Sequence, residues 1–184
     1  MLHQNDISVK PYELAAGHFT TGRFHLMDIV FRRWTTLLQE TLFAKMGLMF
    51  EVSTESVEQL RFGDLLSSVS KQPIYIFETF NQSRGLFLID NSFFKLVLSS
   101  RVEPADELFT LAQLMKENQH ILLKLVRLLI DDFEKSWLNI AELELKLQRV
   151  PIFPQRAKVM LPYEYCFVGS VQLRLKNFQA DLKL

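Results

Sequence analysis

The sequence predicts an α/β domain made of two similar halves related by a pseudo-two-fold axis. Two stretches, Trp34 to Phe80 and Leu125 to Val171, read alike at an offset of about 91 residues. Each runs through an amphipathic helix, an alternating strand, a short amphipathic piece and a second strand. Identities between them are few, so what repeats is pattern. A helix-and-sheet half cannot cover its apolar face alone, and closing on its own copy solves that problem.

Residues 1–22 are weakly patterned, punctuated by Pro11, Gly17 and Gly22, and read as an extended lead-in. The folded domain follows over residues 23–184, with pseudo-halves at about 23–100 and 105–184. From Phe24 to Met46, the residues Met27, Val30, Phe31, Trp34, Leu38 and Leu42 recur at helical spacing; Thr20 or Thr21 can cap the start and Gly47 supplies the stop. Glu51 to Leu60 alternates, which would put Val52, Thr54, Ser56 and Glu58 on one side and Ser53, Glu55, Val57 and Gln59 on the other. Phe62, Leu65, Leu66 and Val69 mark a short helix. Pro73 to Phe80 and Leu86 to Ile89 form a hairpin around the turn at residues 81–85, with the first strand buried on both faces. Asn91 or Ser92 caps a helix through Leu98, and residues 99–104 form a break.

Helical spacing returns from Ala105 to Leu138, divided by the polar run at residues 116–120. Its core stripe is Leu122, Leu125, Val126, Leu129, Phe133 and Trp137. Leu143, Leu145 and Leu147 then alternate with polar residues, and Pro151, Pro154 and Pro162 frame another short amphipathic piece. Tyr165 to Leu175 is a strand, residues 176–177 turn, and Ala180, Leu182 and Leu184 start a last strand. Under the offset, Val52 falls on Leu143, Thr54 on Leu145, Ile74 on Tyr165 and Ile76 on Phe167.

A chain of 184 residues buries about 70% of its unfolded surface, so it needs no staples. With the single cysteine Cys166 no intrachain disulfide can form, which fits a reducing compartment. Lys+Arg and Asp+Glu both number 21, a net charge of +0. The positive field of a nucleic-acid binder is missing. So is the self-repulsion that keeps subunits apart, which suits a protein that assembles. No basic stretch leads into an apolar run at the N-terminus, so no signal peptide is read. The most apolar segment, Ile121 to Ile130, is interrupted by Lys124 and Arg127 and is too short to span a bilayer. These features together predict a soluble, cytoplasmic protein.

Recognisable catalytic chemistry is lacking, and no cofactor or metal is expected. Glu117 and His120 are spaced i, i+3, a di-metal spacing that needs a second such pair and two further carboxylates; a solvated polar stretch explains them better. Cys166 sits between Tyr165 and Phe167 in a strand pattern and reads as a small buried hydrophobe. No Gly-rich phosphate loop occurs. The long helices carry apolar residues beyond a single stripe, Leu26, Ile29 and Leu37 on the first and Ile121, Leu128 and Ile130 on the second. Such a helix is either buried on two sides or packs on a neighbouring subunit.

Several segments in order resemble one family. Val9-Lys10-Pro11-Tyr12-Glu13-Leu14 is similar to an IKPYDF opening. Ser56 to Leu66, the hairpin Arg84-Gly85-Leu86-Phe87-Leu88-Ile89-Asp90, Phe133-Glu134-Lys135-Ser136-Trp137 and Pro154 to Pro162 follow at matching spacing. Over residues 9–184 the chain resembles the middle domain of the flagellar motor switch protein FliM. The resemblance implies a CheC-like three-layer α/β/α pseudo-dimer, with each half a helix-strand-strand-strand unit. It implies a non-enzymatic component of the cytoplasmic switch ring (C-ring) of the bacterial flagellum basal body, peripheral to the inner membrane. Such a component binds FliG, FliN and neighbouring FliM-like subunits and takes part in torque transmission, chemotaxis and reversal of rotation.

Where the family has a glycine-rich GGxG loop against FliG, this chain has Leu98 followed by Ser99, Ser100, Arg101 and Val102, side chains that resist backbone shapes glycine allows. The family's CheY-docking peptide, of the type LSQxEIDALL, does not occur. Residue 184 falls where the resemblance places the start of a FliN-like domain. CheC-type phosphatases share the fold and act through Glu-x-x-Asn on the long helices, and the sequence is read as containing no such motif. A type III secretion sorting-platform scaffold is the remaining alternative, against which the Lys10-Pro11-Tyr12 opening favours the flagellar branch.

Overall fold

The computed structural model describes residues 25–69, 72, 74–99, 116–148 and 157–184. The lead-in at residues 1–22, residues 100–104 of the expected break, the helical spacing from Ala105 and the prolines Pro151 and Pro154 lie outside them.

The first half comprises α1 (His25–Met46), β1 (Glu51–Arg61), α2 (Phe62–Ser68), β2 (Ile74–Thr79), β3 (Arg84–Ile89) and α3 (Asn91–Ser99). The second comprises α4 (Gln119–Ser136), β4 (Leu145–Leu147), β5 (Tyr165–Leu175) and β6 (Phe178–Lys183). Gly47 ends α1 at φ 68°, where its N–H reaches the Phe43 carbonyl at 2.8 Å. Glycine takes that left-handed conformation without steric cost.

Among the described residues the strands join one six-stranded sheet in the order β1-β5-β6-β3-β2-β4, with every neighbouring pair antiparallel. Exchanging β1 with β4, β2 with β5 and β3 with β6 returns the same order reversed. The duplication read from pattern is therefore built into the sheet, with its axis between β3 and β6.

Two apolar layers cover this sheet. On one face α1, α3 and α4 close over Tyr75, Phe87, Ile89, Val171, Leu173 and Leu182. On the other, α2 and residues 157–160 cover Ile74, Ile76, Leu86, Leu88 and Val168. That makes three layers, α/β/α, and explains why Ile74 to Phe77 are buried without alternation. The centre of the larger core is Trp34. Its ring meets Phe31 and Phe133 edge-on with centroids at 5.5 and 5.3 Å, and its Nε1–H donates to the Leu129 carbonyl at 3.0 Å. One side chain thus ties the helix of one half to the helix of the other, with its only polar atom satisfied.

Four expectations need correction. A bulge between Thr54 and Ser56 shifts the pairing of β1 with β5 by one residue. Beyond it Val57 returns to the face that Val52 occupies, and both pack on the larger core. The strand offset is also not about 91. The hairpin turns centre near Asn81 and on Lys176–Asn177, about 95 residues apart. Tyr165 and Phe167 consequently do not match Ile74 and Ile76: the former are about half exposed and the latter buried. The helices hid this, because four residues is roughly one helical turn and keeps the same face inward. The cap of α3 is Asp90, whose carboxylate accepts the Ser92 N–H at 2.7 Å, and not Asn91 or Ser92. Finally, of the alternating Leu143, Leu145 and Leu147, only Leu145–Leu147 enters the sheet.

Candidate functional site

Of the sequence-predicted contact residues, Ser99 closes α3, its hydroxyl donating to the Leu96 carbonyl at 2.9 Å. Ser100, Arg101 and Val102 lie outside the described residues. On the long helices, Leu26 and Ile29 are 50% and 36% exposed, i and i+3 on one face at the start of α1. Leu37, Ile121 and Leu128 are half-buried. Ile130 is a correction: at 1% exposure it belongs to the core.

The chemical candidates do not assemble into a site. Among the described residues no group of three His, Cys, Asp or Glu could hold a metal ion, and Glu117 and His120 are simply exposed. Cys166 is half-buried rather than fully buried, its Sγ 3.6 Å from the Leu60 carbonyl; burial pushes the thiol up, away from the reactive thiolate. The expectation of no Glu-x-x-Asn motif needs correction: one such spacing occurs, Glu78 to Asn81, but it runs from the end of β2 into the hairpin turn and not along a long helix. Glu78 Oε1 accepts from Arg84 at 2.7 Å and from Gln148 at 3.1 Å. The Asn81 side-chain oxygen accepts the Ser83 N–H at 3.2 Å and the Thr79 hydroxyl. Both side chains are committed to holding the hairpin together.

Pattern reading missed an apolar shelf at the low end of β5. Odd-numbered residues of this strand face the α1 side, where Val171 and Leu173 are fully buried. The Phe31 ring then lies over Gly169, so closely that a Cβ there would sit 1.8 Å from it. Beyond Gly169, Phe167 and Tyr165 are 48% and 45% exposed. The Arg61 guanidinium stands 5.8 Å over the Tyr165 ring, and its Nε lies 3.4 Å from the phenol oxygen, a contact that raises its own pKa. Alternation alone gives such residues the same sign as core; only where α1 begins decides whether they are covered. Beside the shelf is a largely apolar cavity of about 220 Å³. Its walls include Met27, Phe31, Leu86, Met160 and Phe167, and it is lined from both layers of the core.

The layers, the palindromic sheet and the helix pair define a pseudo-two-fold α/β/α domain with apolar outer patches. The middle domain of FliM from Vibrio alginolyticus matches it with a TM-score of 0.73 at 15% identity, covering 86% of this chain and 90% of that one. The FliM middle domain of H. pylori gives 0.75 at 12% identity, over 86% and 88%. A chain of the FliG–FliM complex from H. pylori gives 0.67 at 12% identity, over 87% and 92%. No protein-family model matches the sequence, and no curated protein matches it. The chain has the fold of the FliM middle domain.

Proposed function

We propose that this chain is a structural, non-enzymatic part of a bacterial flagellar motor switch. The reading is carried by the match to FliM middle domains over most of both chains, one of them from a FliG–FliM complex. The ordered sequence motifs that resemble the same family support it. In this reading the Trp34-centred core keeps the domain rigid, and its outer surfaces grip FliG, FliN and neighbouring FliM-like subunits in the cytoplasmic ring, peripheral to the inner membrane through the rotor. Reversal of rotation then comes from two discrete packings of rigid subunits.

Leu26 and Ile29 supply the lateral contact, and residues 99–102 the FliG contact. Calorimetry with the middle domain of FliG tests the assignment. Binding at micromolar concentrations, weakened by Arg101→Asp, is expected; no heat at high micromolar concentration removes the FliG role. Incubation with phosphorylated CheY gives no phosphate release, and measurable release overturns the non-enzymatic reading.

A further inference from the structure

The two edges of the sheet use their backbone groups differently. Gly169 exchanges both of its bonds with Leu184, at 2.8 and 3.0 Å. Odd-numbered residues of β5 therefore bond β6, and even-numbered ones bond β1. By the register of that pair, Glu51, Ser53, Ser56, Glu58 and Leu60 turn their N–H and C=O groups inward. The Phe62 N–H, donating to the Glu164 carbonyl at 2.9 Å, continues the same alternation. Val52 and Thr54 before the bulge, and Val57, Gln59 and Arg61 after it, then present theirs outward. β1 is the last strand on this side, and among the described residues no strand pairs with those outward groups.

At the other edge the opening is closed from within. Glu78 pairs with Lys146 and the Gln148 N–H donates to the Ile76 carbonyl, so Leu145 and Leu147 face outward. The Glu134 carboxylate accepts the Leu145 N–H at 2.8 Å, and the strand has only three residues. Short strands and occupied edge groups are how sheets avoid unwanted pairing. β1 is eleven residues long and contains neither Pro nor Lys.

We propose that β1 pairs antiparallel with β1 of a second copy of this chain, about a two-fold axis at Val57, so that one sheet runs through both. Because the bulge adds one residue, the outward groups match when Val57 faces Val57, Gln59 faces Thr54, and Arg61 faces Val52 of the second copy. This register is self-complementary, as an isologous contact must be. The Thr54 hydroxyl, buried without a hydrogen-bond partner among the described residues, is set opposite the Gln59 amide, which can donate to it. Symmetry makes that contact twice. On the other face Glu58 lies across from Ser56, and Ser53 from Leu60, so no two carboxylates oppose each other. Glu55, the residue the bulge adds, is directed to Arg174, 3.9 Å away. Sliding the axis one residue toward Arg61 sets Glu58 against Glu58. Sliding it one residue toward Val52 leaves Arg61 beyond the end of the facing strand. The pairing rests on the backbone ladder and does not depend on the switch reading.

Hydrogen exchange on the full, unmutated chain reads the pairing at the outward Gln59 amide, with Leu147, outward on β4, as the control. Raising the protein from low micromolar to millimolar concentration slows Gln59 at least about tenfold and leaves Leu147 unchanged. Sedimentation over the same range shows monomer giving way to dimer. Gln59→Pro removes only an outward N–H, so β1 keeps its ladder with β5, while the dimer dissociation constant rises at least about tenfold. Gln59 exchange that ignores concentration in a chain that stays monomeric overturns the proposal, whether or not Gln59→Pro folds. A folded Gln59→Pro variant that dimerises like the parent overturns it too. So does equal slowing of Gln59 and Leu147, which marks general aggregation.

Discussion

The two halves agree at the centre of the sheet and part company at its edges. The β2–β3 and β5–β6 hairpins meet across the axis in mirrored order, yet the matching edge strands differ: β1 has eleven residues and a bulge, β4 only three. Duplication is enforced where each half is the other's wall, because a change there must be answered across the axis. At the edges nothing enforces it. The extra length of β1 carries β5 down to Tyr165, and this asymmetry creates the shelf.

The sharpest way to break the agreement is at Trp34, which both halves share. Trp34→Ala costs about 3–5 kcal/mol from the cavity it leaves, measured by urea denaturation. Leu125→Ala, one helix face across, costs about 2–4 kcal/mol. A Trp34 value below that of Leu125 would mean the halves are stable without their shared anchor.

Two close approaches come next, one in each half. A Cβ at Gly169 would meet the Phe31 ring at 1.8 Å, and one at Gly85 the Phe77 ring at 2.1 Å. Phe31 is wedged between Trp34 and Phe133, so it yields less readily. Gly169→Ala therefore costs about 2–3 kcal/mol and Gly85→Ala about 1–2 kcal/mol. The reversed ranking in thermal melts would show that Phe31 has somewhere to go. Smaller still is Asp90→Ala, which removes the cap of α3 in the first half and costs about 1 kcal/mol, read from the same melts.

Much of the architecture was legible because it rests on period. The helical stripes of α1 and α4, the doubly buried β2 and the bounds of β5 follow from spacing that packing then obeys. What escaped has a physical cause in each case. The bulge at residues 54–56 inserts a residue without any mark in composition, so Val57 was assigned the wrong face. The offset was set by helices, where four residues change nothing, rather than by the hairpin turns, where they do. Tyr165 and Phe167 look like core because their neighbours on the same face are core; their exposure depends on a helix start far away in sequence. Ser99, read as the first residue of the break after Leu98, is instead the last residue of α3, because a helix end is not marked by any change of period there; the rest of that candidate contact lies outside the described residues.

The smallest effect separates the two long helices electrostatically. Between Asp28 and Glu40, α1 carries no carboxylate, whereas the facing stretch of α4 carries Asp131, Asp132 and Glu134. Burial, then Glu134, raises the Asp131 carboxyl above its ordinary value, against Lys135 and Arg127, which lower it. Asp131 lines a groove between α4 and β4 together with two cations, Arg127 and Lys146. A raised folded-state pKa means the native state holds this proton more tightly than the unfolded chain does. The ionised form therefore carries a penalty at neutral pH, and that penalty disappears as pH falls through the folded value toward the unfolded one near ~3.9. Because the side chain is partly open to solvent, the penalty is screened, and Asp131→Asn stabilises by no more than about 0.5 kcal/mol at pH 7. The gain shrinks toward zero as pH approaches ~4 and also shrinks with added salt. A stabilisation that stays constant across that range would have to come from packing, and α4 would then differ from α1 in shape rather than in charge.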